Sequence, residues 1–210
     1  MLARRVCALL LLGSVTACSS ENPVPVFGLY PQAVTLTPVA YTDSGSTEEL
    51  VSVLNETYFP LVVRNLEVIG PGASFLTWGT IQGGQQTLQI RDVLAIPVKV
   101  RPPTDQEVRR WSSGTFQATM KFEVAGSGAI DAETQKFDPD AEERVQVEVP
   151  ISFSIVCDLD QDGYDSTRCS GGRDCDDAQP STNPDAIEYC DGVDSDCDLR
   201  DDLNDDCVET

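Results

Sequence analysis

Histidine is missing from this 210-residue chain. Without it, no Ser–His–Asp triad, Cys–His dyad or His-ligated zinc site can form within the chain. Basic residues are scarce as well. Fourteen Lys and Arg stand against 35 Asp and Glu, for a formal net charge of −21. That balance excludes nucleic acid held by broad phosphate neutralisation. Cysteine is absent between Cys18 and Cys157, although the chain has 8 in all. Apolar residues still make up 40% of the chain, so disorder throughout is excluded. The length suits one or two small domains.

The N-terminus reads as a leader. Arg4 and Arg5 precede an apolar stretch, Val6 to Leu12, that is too short to span a bilayer. Val15-Thr16-Ala17-Cys18 resembles a bacterial lipobox. The resemblance implies an acylated Cys18 as the new first residue, a membrane anchor, and, with Ser19 next, the outer membrane or cell surface. The alternative is an ordinary signal peptide cut after Ala17. Removing residues 1–17 takes away two arginines and leaves 12 basic residues against 35 acidic ones, or −23. Residues 18–25 then form a linker, and export makes disulfides the default for the remaining cysteines.

From about residue 26 to 156 the pattern is β. Val145, Val147, Val149, Ile151, Phe153 and Ile155 alternate with mostly polar residues, as one buried face requires. Segments 116–124 and 94–101 repeat the pattern. Weaker strands are predicted near 33–37, 49–54, 61–69 and 86–91. Pro97 and Pro150 fall at outward positions and suggest edge strands or bulges. Met120 points inward, and Trp78 and Trp111 read as partial core. No amphipathic helix is evident. Short strands separated by breakers such as Gly70-Pro71-Gly72 predict an antiparallel sandwich.

Two passages carry a resemblance. Val51-Ser-Val-Leu-Asn55-Glu-Thr57-Tyr-Phe-Pro60-Leu61-Val-Val63, followed by Leu94 to Thr104 with its Pro-Thr turn, is similar to the ASH-type immunoglobulin-like domains. That implies an immunoglobulin-like sandwich over 26–156, in a class of mostly non-catalytic spacers or binding modules. Gly126 to Arg144 is longer and more acidic than the usual hairpin and reads as a surface excursion. Asn55-Glu-Thr57 fits a glycosylation sequon but reads as a turn.

The last 54 residues, 157–210, hold 16 Asp, 2 Glu and 3 Arg, a net −15. Large apolar residues are few there, so burial alone cannot stabilise the segment, and metal or disulfides must substitute. Asp158-Leu-Asp160-Gln-Asp162-Gly163-Tyr164 has the opening spacing of a calcium loop. Carboxylates at positions 1, 3 and 5 converge on one cation, glycine at 6 permits the turn, and the carbonyl at 7, on Tyr164, is a ligand. Position 12 is Cys169 rather than Glu, so the loop is not an EF-hand. The closing carboxylate is expected from Asp174, Asp176 or Asp177.

The whole block resembles a MopE-type metal-binding repeat. The resemblance rests on Asp158 to Tyr164, Asp174-Cys175-Asp176-Asp177, and Glu188-x-Cys190-Asp191-Gly192-x-Asp194-Ser195-Asp196-Cys197-Asp198. It is also similar to the aspartate pattern of thrombospondin type 3 repeats, which implies calcium wrapped in a disulfide-clipped coil. Asp185, Ser195 and Leu199 depart from the family's Gly, Asn and Gly, and the last bears on the geometry of a second site around Asp191 to Asp202, with Asp191, Asp194, Asp196 and Asp198 as its candidate ligands. Copper favours imidazole, thiolate or thioether; hard oxygens favour Ca²⁺, with Mg²⁺ demanding stricter geometry. Zinc on Cys169, Cys175, Cys190 and Cys197 is the runner-up. Six cysteines, Cys157, Cys169, Cys175, Cys190, Cys197 and Cys207, allow fifteen pairings, and Cys157 with Cys207 would bracket the module.

The expected class is therefore mainly β: an immunoglobulin-like antiparallel sandwich plus a small irregular, disulfide- and calcium-stabilised module. The expected function is a non-catalytic envelope lipoprotein, anchored in the membrane, with a structural or adhesive role toward a protein or glycan. The alternatives are metal buffering or acquisition and a carboxylate-dependent hydrolase.

Overall fold

A computed structural model describes residues 27–42, 45–130, 137–200 and 207–209. The leader, the lipobox with Cys18, and the linker lie outside the described residues. Among the described residues ten strands are present: β1 (Phe27–Tyr30), β2 (Val34–Thr35), β3 (Val39–Ala40), β4 (Glu49–Asn55), β5 (Leu61–Ile69), β6 (Leu76–Trp78), β7 (Gln85–Leu88), β8 (Val93–Val100), β9 (Gly114–Ile130) and β10 (Phe137–Val156). They form two sheets, one ordered β1-β4-β8-β6 and the other β2-β10-β9-β5-β7, with β3 also paired to β10.

The period-2 segments become the central strands because each buries one face. Val51 and Val53 of β4, Ile96 and Val98 of β8, Met120 and Phe122 of β9, and Val149, Ile151 and Phe153 of β10 are all buried between the sheets. Each such side chain contributes about 1.5–3 kcal/mol of transfer free energy. Trp111 is buried, with its ring edge-on to Phe75 at 5.6 Å between centroids, and Trp78 packs half-buried against the same core.

The structure departs from a purely antiparallel sandwich at its first strand. β1 pairs with β4, and the chain then crosses at Pro31 to the second sheet, where β2 and β3 run parallel to β10. Of these short pieces, β2 falls within the strand predicted near 33–37, while β1 and β3 escape the periodicity reading because neither is long enough to show alternation. Their direction fixes a polarity. Phe27 enters opposite Asn55, while Val156 leaves beside Ala40, so the chain enters and leaves the sandwich at opposite ends.

Both prolines lie in interior strands, not at edges. β8 sits between β4 and β6, but the β6 ladder stops at Trp78, and the Pro97 carbonyl accepts from Gly79 N at 2.8 Å. The missing Pro97 N–H therefore faces a place where no strand needs it. Gly79 is required there: a Cβ would meet Pro97 Cδ at 2.6 Å. Pro150 precedes the β2 ladder, which begins at Ile151 opposite Val34.

The predicted excursion is partly regular. The β9–β10 ladder continues beyond the sandwich to Ile130 opposite Phe137, with a register shift between Asp138 and Glu142. Residues 131–136 lie outside the described set. A single helical turn, α1 (Asp105–Val108), also forms, closed by a capping box between Thr104 and Glu107. The Arg101 guanidinium bonds both Glu107 carboxylate oxygens and holds that carboxyl well below the usual range.

Asn55 is fully buried. Its Nδ2 donates to the Phe59, Leu88 and Gln89 carbonyls at 2.9–3.1 Å, and its Oδ1 accepts from Thr57 N and Oγ1. The sequon is thus a structural turn whose asparagine is inaccessible in the fold.

Candidate metal centre

Residue 157 follows directly on β10, and the acidic segment is fastened to that end of the sandwich. The Ser113 hydroxyl accepts from Cys157 N at 2.9 Å and donates to Asp165 Oδ1 at 2.6 Å. Ser170 N donates to the Trp111 carbonyl at 2.6 Å. Cys157 and Cys169 are buried in the same apolar cluster as the sandwich core. Tyr41, just after β3, lies under the Arg168 guanidinium at 5.1 Å, and burial raises its hydroxyl above the usual phenol range.

Three disulfides close local loops: Cys157–Cys169, Cys175–Cys197 and Cys190–Cys207, with sequence separations of 12, 22 and 17. The bracketing pair Cys157–Cys207 does not form. Cys157 is held against the sandwich core beside Cys169, while Cys207 lies next to the Tyr189–Val208 bridge and so reaches Cys190. Each loop contributes about 3 kcal/mol in the chain-entropy model. Because all six sulfurs are oxidised, none of the four cysteines considered for zinc is a thiolate.

Two overlapping carboxylate triads assemble at the first loop. Asp158, Asp160 and Asp162 each offer an oxygen within 4.8 Å of the others, and so do Asp160, Asp174 and Asp177. The loop forms because its own amides turn inward. Asp158 accepts from Gln161 N at 2.7 Å and Gly163 N at 3.1 Å, Asp160 from Asp162 N at 3.2 Å, and Asp162 from Tyr164 N at 2.8 Å. Gly163 stands at φ 99°, where glycine alone is unstrained. Asp174 Oδ1 accepts from Asp176 N, and Asp177 Oδ1 from Leu159 N, both at 2.8 Å.

The remaining oxygens carry the chemistry. Oδ2 of Asp160, Asp162, Asp174 and Asp177 is buried and has no hydrogen-bond partner. Each of these aspartates spends one oxygen on a backbone amide and leaves the other bare. Unpaired buried carboxylate oxygens at such spacing are strongly unfavourable unless a cation sits among them. Burial raises Asp174 to about 6, with Asp162, Asp177 and Asp160 adding repulsion, and burial likewise raises Asp160. The donor set is hard oxygen only, the kind of set that hard cations take. Met120, a possible soft donor, is sealed in the core.

A second group comprises Glu188, Asp194 and Asp196. Glu188 Oε2 accepts from Ser195 N at 2.7 Å and Asp196 N at 3.1 Å, while Oε1 is buried and bare. The loop beneath it duplicates the first. Asp194 accepts from Leu199 N, five residues on, as Asp158 does from Gly163 N, and also from Asp198 N in place of the Asp158–Gln161 bond. Asp196 accepts from Asp198 N, and Asp198 from Arg200 N, as Asp160 and Asp162 do from theirs. Cys197 (φ 58°) matches Gln161 (φ 65°), and Leu199 (φ 67°) stands where the first loop has Gly163. The loop therefore keeps its shape despite the leucine.

Not every predicted ligand joins a group. Asp176 accepts from Gln179 Nε2 at 2.9 Å, Asp191 from Val193 N at 3.0 Å, and Asp198 pairs with Arg200 at 3.4 Å. The Tyr164 side chain turns its hydroxyl to Asp185 and its ring to Arg173, an arrangement that does not bear on its carbonyl, the predicted ligand atom. Glu188 lies outside the predicted ligands, whose carboxylates are all aspartates; its sequence signal is its place in the Glu-x-Cys-Asp-Gly passage. Tyr41 and Ser113 carried no sequence signal, because only the fold brings them to the loop.

Residues 174–202 match a family model, Cu-binding_MopE, whose description is "Putative metal-binding motif". No curated protein matches the chain. Among solved structures, the chain is similar to the Salmonella enterica SafA pilin in complex with the SafB chaperone. The identity is 13% and the TM-score 0.39, over 63% of this chain and 56% of that one, so the chain spans little more than half its length. It is also similar to PapD-like domain 7, an ASH / PapD-like domain, of human CEP192, at 8% identity and TM-score 0.38, over 71% of this chain and 98% of that one. SSP-19, an MSP-domain protein like family member in Caenorhabditis elegans, matches at 11% identity and TM-score 0.36, over 60% and 96%.

Proposed function

We propose that this chain is a non-catalytic, lipid-anchored envelope protein that carries a calcium-binding module on a rigid β-sandwich. The observation that supports it most is the set of four buried, bare aspartate oxygens around Asp160. Asp160 belongs to both triads of the first loop, so one cation there is held by Asp160, Asp174 and Asp177 with Asp158 and Asp162 on the loop side. Glu188, Asp194 and Asp196 hold a second cation. Copper is disfavoured by the lack of histidine, thiolate and accessible thioether.

The anchor reading rests on the leader and Cys18. Among the described residues, no helix is long and apolar enough to cross a membrane. With Phe27 and Val156 at opposite ends of the sandwich, an anchor at Cys18 places the module at the end away from the bilayer. That polarity favours display to an outside partner, protein or glycan, over a merely internal brace. Metal buffering is the second reading, favoured by the duplicated loop. The two are separated by measuring calcium affinity together with unfolding. A display module melts later by many degrees when calcium is added, and EDTA opens it to protease. A buffer binds calcium with little change in melting. A module whose melting and protease resistance ignore both calcium and EDTA contradicts the calcium reading itself.

A further inference from the structure

Beside the second loop, the segment around Glu188 presents apolar side chains outward while the Glu188 carboxylate faces in. Glu188 is 8% exposed, but its neighbours Ile187 and Tyr189 are 61% and 39% exposed. Val208 lies beside them: it forms a parallel bridge with Tyr189, its N–H donating to the Glu188 carbonyl at 2.9 Å and its carbonyl accepting from Cys190 N at 3.1 Å. Val208 is 49% exposed, and paired residues of a parallel bridge point to the same side. Tyr189 and Val208, with exposed Ile187 two residues before Tyr189, thus form one apolar patch next to the Cys190–Cys207 disulfide. Its surroundings are acidic, with exposed Asp185, Asp191 and Glu209 near it in the chain.

We infer that this patch is a docking surface for a protein segment that is both basic and apolar. An apolar patch alone would not say what covers it, but the charge does. A segment of net −15 repels the anionic surface of a membrane and attracts lysine and arginine, while the patch itself rewards only apolar side chains. Docking of this kind depends on the cation at Glu188, a dependence that rests on the calcium reading above. The Glu188 carboxylate is bound to Ser195 N and Asp196 N, and a cation shared with Asp194 and Asp196 locks the Ile187–Tyr189 segment in place.

The test uses the oxidised chain from residue 18 onward and two short synthetic peptides, one alternating lysine and leucine, the other lysine and glycine. Binding is followed by calorimetry with saturating calcium and with EDTA. The lysine–leucine peptide binds more tightly than the lysine–glycine peptide. The variant Ile187→Ser/Tyr189→Ser weakens the first by about tenfold and leaves the second unchanged. Val208→Ser, in a separate protein, gives a smaller loss in the same direction. Equal affinity for both peptides, or no loss in the serine variants, overturns the docking surface. Calcium titration of the same variants is run in parallel. Retained calcium binding shows that the variants fold, and patch-dependent peptide binding without any calcium binding overturns the calcium reading while leaving the surface standing. Peptide affinity that is the same in EDTA overturns the gating by the cation.

Discussion

The sandwich and the acidic segment solve the same problem with opposite materials. Up to residue 156, the buried set among the described residues is valine, isoleucine, leucine, alanine, Met120 and aromatic side chains, interrupted by Asn55, Thr57 and Glu123. Beyond residue 156, the buried apolar residues among those described are Cys157 and Cys169. The others are Ser166, Asp174, Asp177, Thr182, Glu188 and Ser195. One region is held by apolar area removed from water, the other by covalent loops and by carboxylates arranged to need a cation. The charge divides likewise: −6 lies in the first 156 residues and −15 in the last 54. A chain can thus be strongly acidic overall while its larger part is an ordinary apolar core.

The difference is testable by breaking each region separately. The largest effect is expected from Phe122→Ala, which opens a cavity in the sandwich and costs about 3–5 kcal/mol, by chemical denaturation, with no dependence on calcium. In the acidic segment, Asp160→Asn/Asp174→Asn removes the calcium-dependent stabilisation. For a site saturated about a hundredfold above its dissociation constant, that stabilisation is about 2.7 kcal/mol. Cys175→Ser/Cys197→Ser costs about 2–4 kcal/mol in the segment and leaves the sandwich transition in place, as followed by protease cleavage sites.

A pH series sharpens the comparison further. Burial holds Asp174 at about 6 in the folded, cation-free chain, above the ordinary aspartate value. The folded state therefore keeps a proton that the unfolded state has lost. Its contribution to stability is full below the ordinary aspartate range and is lost as pH rises through about 6. In EDTA the segment should resist protease better at mildly acidic pH than at neutral pH. With calcium the order reverses, because protons and the cation compete for the same oxygens. The smallest effect is expected from Leu199→Gly, which relieves a leucine at φ 67° and tightens the second loop by roughly 1 kcal/mol, read as a few-fold gain in its calcium affinity.

Alternation made β4, β5, β8, β9 and β10 legible in sequence, because one-sided burial writes itself as period two. It could not reveal β1, β3 or β6, which are two to four residues long and exist because neighbouring strands offer them an edge. The first acidic loop was legible because its carboxylates are local and its glycine is positional. The disulfide pairing was not, since it depends on Cys157 being buried against the sandwich core and on Val208 bridging to Tyr189. Glu188 was visible only within the family pattern, and the support from Tyr41 and Ser113 exists only once β3 and β9 are folded against the segment.

The central claim, that buried bare carboxylates make the segment a calcium module, is tested most directly by calorimetric titration of calcium into the oxidised chain from residue 18 onward. The predicted result is calcium binding that Asp160→Asn/Asp174→Asn abolishes at the first loop, while the loop with Glu188 still binds. No calcium binding by the wild-type chain, or binding that survives the double substitution unchanged, would contradict it.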